Sequence, residues 1–343
     1  MISLPADEWA HEGALHEWWY LNSHVTTKDG RSYGIYLFFT DYLIFSLTDK
    51  RAKKIVYKEK LVGERLVGTS NGVHMAGNYM RRASGRDLIY DIHYASENVT
   101  VDLVLKSEKE PLMVNRSGLI KEGALGNSWY YSLTRLHANG VLKIEDSVQE
   151  IEGLAWIDRQ WGSWEEMGIG SWIWLSLQLS NNCEILLTEI YPPFLRLVSS
   201  KVLSIKMNEG KDLFLSNFTV RTVSKWTSHK TGQTYGSRWQ VESPGTLSLT
   251  VDVDFEDQEI HGGLWQGSCL VKGSFSGIVV TGVGYAEQIE RTPSRLGGIV
   301  SIALAPYHSV MQTLLGRSNL GLMDLVEKLQ LWKLWSKDGN LSR

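Results

Sequence analysis

Acidic side chains set among large aromatic rings are the residues of this sequence best suited to chemistry. Asp158 stands in the run Trp156-Ile157-Asp158-Arg159-Gln160-Trp161. A carboxyl group walled by indoles loses solvation, which favours its neutral form and raises its pKa. A neutral acid in an apolar cavity can protonate an alkene and start a carbocation reaction, ending in hydration or cyclisation. The same carboxyl can instead pair with Arg159, another arginine or a Trp N–H, locking a corner of the fold within a buried polar network. Glu17 poses the same choice inside His16-Glu17-Trp18-Trp19-Tyr20. In a strand it shares a face with Trp19, either as an acid or polar anchor or as the partner of Arg135 or Arg159.

Phenols and indoles supply the other candidates. Tyr130, Tyr131 and Tyr285 can hydrogen-bond a substrate carbonyl. Polarising it lowers a cycloaddition barrier, and about 1.4 kcal/mol is worth tenfold in rate. Trp172, Trp174 and Trp265 are candidates for a wall that holds a polyene folded and stabilises a cation over an indole face. Plain core packing is the competing reading for each ring. His11 and His16 are five apart, a spacing that fits neither a strand face nor a helix face, so no metal is expected. No GxSxG elbow or P-loop occurs, and Gly282-Val283-Gly284-Tyr285 sits in β context without a following helix. No cofactor is therefore expected.

These side chains need a frame. The chain has 343 residues, enough for two domains. Hydrophobic residues make up 43% and charged residues 21%, which suits an ordinary globular core. The formal net charge of −3, without a basic stripe, argues against nucleic acid as a partner. Cys183 and Cys269 have no metal-site spacing and sit in apolar runs, so buried free thiols are expected. The start MISLPADEW does not read as a secretory signal and no run of ~18 apolar residues occurs, so a cytoplasmic location is expected. Fourteen Trp and fourteen Tyr against eight Phe is a heavy load of rings with polar handles, which favours interfaces and pocket walls.

The dominant period is two. Val99, Val101, Leu103 and Leu105 alternate with polar residues, as do Leu247, Leu249, Val251, Val253 and Phe255. Such segments recur between turn signals such as Lys28-Asp29-Gly30 and Ser243-Pro244-Gly245, predicting an all-β sandwich or barrel. Tyr33 to Phe39 is apolar on both faces and must be covered on both. In Ser171 to Leu179, Ile173, Leu175, Leu177 and Leu179 form an aliphatic face, whereas Trp172, Trp174, Ser176 and Gln178 form a mixed face suited to a cavity wall. A break near 165–171 divides a first β-domain, 1–168, from a second, 169–317. Residues 318–343 read as an amphipathic helical tail, with Leu322, Leu325, Val326, Leu329 and Trp332 at helical spacing. The tail can close a barrel end, form a dimer contact or anchor peripherally at a membrane surface.

The words EWWY (17–20) and AWIDRQWG (155–162), with Trp129-Tyr130-Tyr131, Trp265-Gln266-Gly267-Ser268 and Gly282-Val283-Gly284-Tyr285-Ala286-Glu287, occur in an order that resembles the CrtC/AttH-type lipocalin-like superfamily over about residues 5–290. The resemblance implies two stacked lipocalin-like β-domains with a pocket at or near their interface. It also implies a choice of activities: hydration of a terminal double bond of acyclic carotenoids, or cofactor-free, Diels–Alderase-like cyclisation of polyenes. The segment after Glu287 and the helical tail depart from the usual family ending.

The expected function is therefore cyclisation of a hydrophobic polyene or isoprenoid without a cofactor. Hydration of an isoprenoid double bond is the alternative, and lipid or pigment binding the third. Asp158, Glu17 and Tyr285 are the candidate catalytic residues. Trp18, Tyr20, Tyr131, Trp161, Trp172, Trp174 and Trp265 are the candidates for substrate binding.

Overall fold

Strand alternation decides which side chains meet. Successive residues of a strand point to opposite faces, so each apolar-on-both-faces strand must lie between two packed layers. The computed structural model describes residues 2–83, 85, 87–121, 126–164, 170–191, 200–261 and 263–290. The predicted tail, and part of the predicted domain break, lie outside the described residues.

Thirteen strands form the first sheet: β1 (His16–Thr27), β2 (Ser32–Phe39), β3 (Leu43–Asp49), β4 (Lys54–Leu61), β5 (Val67–Thr69), β6 (Gly72–Met75), β7 (Asn78–Arg82), β8 (Ile89–Ala95), β9 (Val99–Ser107), β10 (Leu112–Met113), β11 (Leu119–Lys121), β12 (Gly126–Ile144) and β13 (Ser147–Trp164). Their order is β4-β3-β2-β1-β13-β12-β9-β8-β7-β6-β5, with β10 and β11 also paired to β12. The second sheet holds β14 (Ser171–Leu179), β15 (Glu184–Tyr191), β16 (Ser200–Lys206), β17 (Leu213–Phe214), β18 (Thr219–Thr227), β19 (Thr234–Ser243), β20 (Leu247–Val253), β21 (Glu259–His261), β22 (Leu264–Phe275) and β23 (Ile278–Glu290). Its order is β17-β16-β15-β14-β23-β22-β20-β19-β18, with β21 on β22. In each sheet the first strand pairs antiparallel with the last, β1 with β13 and β14 with β23.

Each sheet curls as a half-barrel around its own core, giving the two lipocalin-like halves of an all-β fold. Odd-numbered residues of β1 and β2 enter the first core: Trp19, Leu21, Val25, Ile35, Leu37 and Phe39. Across that core the Phe45 and Tyr94 rings stack with centroids 3.6 Å apart. Ile173, Leu175, Leu177 and Leu179 enter the second core, as their alternation predicts. Cys183 and Cys269 are free and buried. No helix among the described residues is long and apolar enough to cross a membrane.

The remaining faces pack against each other and form a third cluster, which includes Tyr20, Tyr36, Tyr130, Trp156, Trp174 and Tyr285. Gly34 marks a close approach: a Cβ there would collide with the Tyr285 hydroxyl and the Thr48 side chain. Polar side chains bridge the layers. Asn22 Nδ2 donates to Ser176 Oγ at 3.0 Å, and Lys50 meets Asp254 at 3.1 Å. Gln178 Nε2 donates to the carbonyls of Thr134 and Ala155. The heaviest bridge is Glu184, fully buried, which accepts from Arg135 Nε at 2.6 Å and from Lys109 Nζ at 2.9 Å.

Removing one member of a buried ion pair leaves an uncompensated charge, a far larger cost than removing the pair. Arg135→Met leaves Glu184 with Lys109 alone and is expected to lower the unfolding free energy by about 1–3 kcal/mol in urea titrations, and adding Lys109→Met, which leaves the carboxylate without a cation, to lower it further.

Candidate active site

The site is built from cross-strand rows. Residues directly opposed on antiparallel strands share a face. On the first sheet Tyr20 of β1 opposes Asp158 of β13, which opposes Ser132 of β12. One row away, Trp18 opposes Gln160, and Gln160 opposes Tyr130. On the second sheet Trp174 of β14 opposes Glu287 of β23, which opposes Gln266 of β22. The neighbouring rows are Ser176, Tyr285 and Ser268, and Trp172, Ile289 and Leu264. Pressed together, these rows enclose two carboxyl groups, one from each sheet.

Asp158 is buried. Tyr130 O–H donates to its Oδ2 at 2.6 Å and Trp156 Nε1–H to its Oδ1 at 2.6 Å, with the Ser132 hydroxyl alongside. Trp174 of the other sheet donates to the Tyr130 oxygen at 2.9 Å, so the chain of donors crosses the interface. Burial pushes the Asp158 carboxyl up to about 6, and the nearby Ser132 hydroxyl and the Tyr130 and Trp156 donors hold it back from rising further. Glu287 is half-buried, and Trp172 Nε1–H anchors its Oε1 at 2.9 Å. Desolvation pushes it up to about 7, against the Trp172 hydrogen bond and with the help of the Asp158 charge. The two carboxyls are electrostatically coupled, and Tyr20 and Tyr130 lie in the field of both.

Aromatic edges surround the pair. Tyr20 meets Trp174 edge-on with centroids 5.0 Å apart, and Trp156 meets Trp174 at 6.4 Å and 86°. Trp18, Phe38, Tyr42, Trp172 and Leu264 pack at the border of the cluster and are only partly buried, which gives the site an edge open to solvent. A cleft of about 330 Å³ lies between β4 and β21. It is lined by Lys58, Lys60, Lys230 and His261 among others, and by Ile260, which belongs to the inter-sheet cluster.

A family model described as AttH-like matches residues 1–289. The chain belongs to the AttH-like family. The AttH-like fold is shared with an AttH-type protein of Nitrosomonas europaea, at a TM-score of 0.75 and 19% identity over 84% of this chain and 97% of that one. Kievitone hydratase of Nectria haematococca matches at a TM-score of 0.71 and 19% identity over 85% of this chain and 94% of its own. CghA with Sch210972 matches at a TM-score of 0.52 and 12% identity over 80% and 88%. No curated protein is similar enough in sequence to match.

Among the residues singled out in the sequence, Asp158, Trp18, Tyr20, Trp172, Trp174 and Tyr285 come together in or around this AttH-like interface. The others lie elsewhere. Tyr131 and Trp161 point into the first core, and Trp265 into the second, where its Nε1–H donates to the Glu256 carbonyl. Glu17 faces the side of Trp19 and accepts from Arg159 at 2.8 Å and from His11 at 2.8 Å. Burial works to raise the Glu17 carboxyl, but His11 and the Arg159 guanidinium outweigh it and hold it below its ordinary range. Arg159 also donates to the Trp18 and Trp9 carbonyls, so this cluster ties the N-terminal segment to β1 and β13. Among the described residues no group of His, Cys, Asp or Glu is arranged to hold a metal. Tyr130, read in the sequence as a donor to a substrate carbonyl, donates to Asp158 instead, and the partners that single residues did not announce are Gln266 and Glu287. Period-two spacing from Asp158 and Tyr285 points to Trp156 and Glu287.

A carboxyl raised by burial holds its proton more tightly in the folded chain than in the unfolded one. Its stabilisation is complete below its ordinary pKa and is lost as pH rises through the folded value. Between pH ~4 and about 6, unfolding free energies of the wild type should therefore fall in part because of Asp158. Asp158→Asn, which still accepts from Trp156, should remove that part of the slope in urea titrations at stepped pH.

Proposed function

We propose that this chain is an enzyme that protonates a double bond of a hydrophobic polyene or isoprenoid and steers the resulting carbocation. The observation that carries this reading is the pair of carboxyl groups, Asp158 buried and Glu287 half-buried beside indole and phenol rings, that desolvation lifts to about 6 and about 7. A neutral carboxylic acid is the species needed to protonate an alkene, and water exclusion makes the protonation productive.

In the first step the alkene π bond breaks as a C–H bond forms with the Asp158 proton. Positive charge is left on the adjacent carbon and the electron pair of the O–H bond stays on Asp158. The Tyr130 and Trp156 donors then hold the carboxylate through short hydrogen bonds. The faces of Trp156 and Trp174 offer the cation a negative quadrupole in place of water. A second double bond of the folded substrate can supply the electron pair for a new C–C bond, with a proton lost to a carboxylate at the end. This is the cyclase course. Water can supply the pair instead, giving a hydratase. That kievitone hydratase shares the fold lends weight to chemistry of this class.

The reading is tested with lycopene and squalene as probes in deuterated buffer. Deuterium at carbon in the product is expected, with Asp158→Asn slowing product formation by about 100-fold or more. Activity should decline as pH rises through about 6, where Asp158 loses its proton. Products free of carbon-bound deuterium would count against proton-initiated chemistry and favour a concerted cycloaddition.

A further inference from the structure

Gln266 is 2% exposed and lies between the sheets. Its Nε2 is 2.6 Å from the Tyr20 hydroxyl, which also accepts from Asn22 Nδ2 at 3.1 Å. Its other end, Oε1, is buried without a hydrogen-bond partner. A stranded buried acceptor is destabilising, because it has given up water and gained no donor. Rotating the amide does not remove the problem: Oε1 then takes the Tyr20 proton and the NH₂ group is stranded instead. Apolar substrate carbon can satisfy neither arrangement. A molecule that both donates and accepts satisfies either one. Glu287 sits directly opposite Gln266 on the adjacent strand and shares its face. Trp172 Nε1–H holds Glu287 through Oε1.

We propose that Gln266 and Glu287 form a water-binding subsite, and that the water held there is the nucleophile added to the substrate cation. The inference rests on the proton-initiated reading above and chooses its hydration branch. Asp158 gives its proton to one alkene carbon. The water oxygen forms a C–O bond to the other, and the proton that this oxygen sheds goes to Glu287 in its ionised form, which is easier to reach while Asp158 keeps its proton because the Asp158 charge that raises Glu287 is then absent. The net change is addition of one water molecule. Proton exchange through solvent returns the proton from Glu287 to Asp158. Gln266 orients the water, and Tyr20 orients Gln266.

Two measurements test it on the full chain. A crystal structure that resolves waters should show one bridging the Gln266 side chain and the Glu287 carboxyl, and Gln266→Leu should lose it. In heavy-oxygen water, lycopene or squalene should yield alcohols carrying the heavy oxygen. Gln266→Leu should lower that yield at least about tenfold, the equivalent of about 1.4 kcal/mol, while deuterium still enters cyclised or isomerised products. Glu287→Gln, of nearly the same shape, should keep the bridging water and lose the alcohol. Products that take up deuterium but never heavy oxygen overturn the subsite's role and leave the proposed function standing. Neither label in any product overturns the proposed function. In that event a dry Gln266 overturns the subsite too, and a bridged one upholds it as a binding site.

Discussion

A carboxyl group enclosed between two sheets must be given a cation, be given donors, or keep its proton. The protein uses all three solutions. Glu184 has Arg135 and Lys109, Glu17 has Arg159, and Glu8 has Arg82. Those carboxylates tie one layer or segment to another. Asp158 and Glu287 have neutral donors from indoles and phenols, and no ion pair with a cation among the described residues. Burial then drives both toward the protonated form, which is the form able to act as an acid.

The sheets give this pair its setting because a β-sheet is stiff and its side chains have fixed directions. β1, β13 and β12 present Tyr20, Asp158 and Ser132 in one row, and β14, β23 and β22 present Trp174, Glu287 and Gln266 in another. Donors reach across the gap, from Trp174 to Tyr130 and from Gln266 to Tyr20. The second sheet therefore completes the polar surroundings of Asp158 on the first. The same contact explains why Tyr33 to Phe39 is apolar on both faces: Ile35 and Leu37 fill the first core, and Tyr36 and Phe38 line the contact with the second sheet.

Much of this was legible in the sequence. Alternation announced the strands, and the turn signals divided them. The segment from Ser171 to Leu179 separated into a core face and a mixed face, as the two clusters show. Asp158 among tryptophans was legible as a desolvated acid, and Glu17 as a partner of Arg159. Reading a run of rings as one wall was less informative, because neighbours in a strand point opposite ways. Arg159 and Trp161 adjoin Asp158 in sequence but lie on the barrel side, whereas Trp156, two residues away, is its hydrogen-bond donor. Tyr130 and Tyr131 divide in the same manner, as do Trp265 and Gln266.

By itself the sequence determined the architecture class and the desolvation of Asp158, because strand period and burial by adjacent rings are local properties. Which face of each strand meets the other sheet is not local. It depends on packing between segments more than 100 residues apart, as in the 246-residue separation of Tyr20 and Gln266. Only the folded chain could bring Glu287 into the field of Asp158 and leave one end of a buried amide unpaired, since both follow from the meeting of two surfaces rather than from either strand alone.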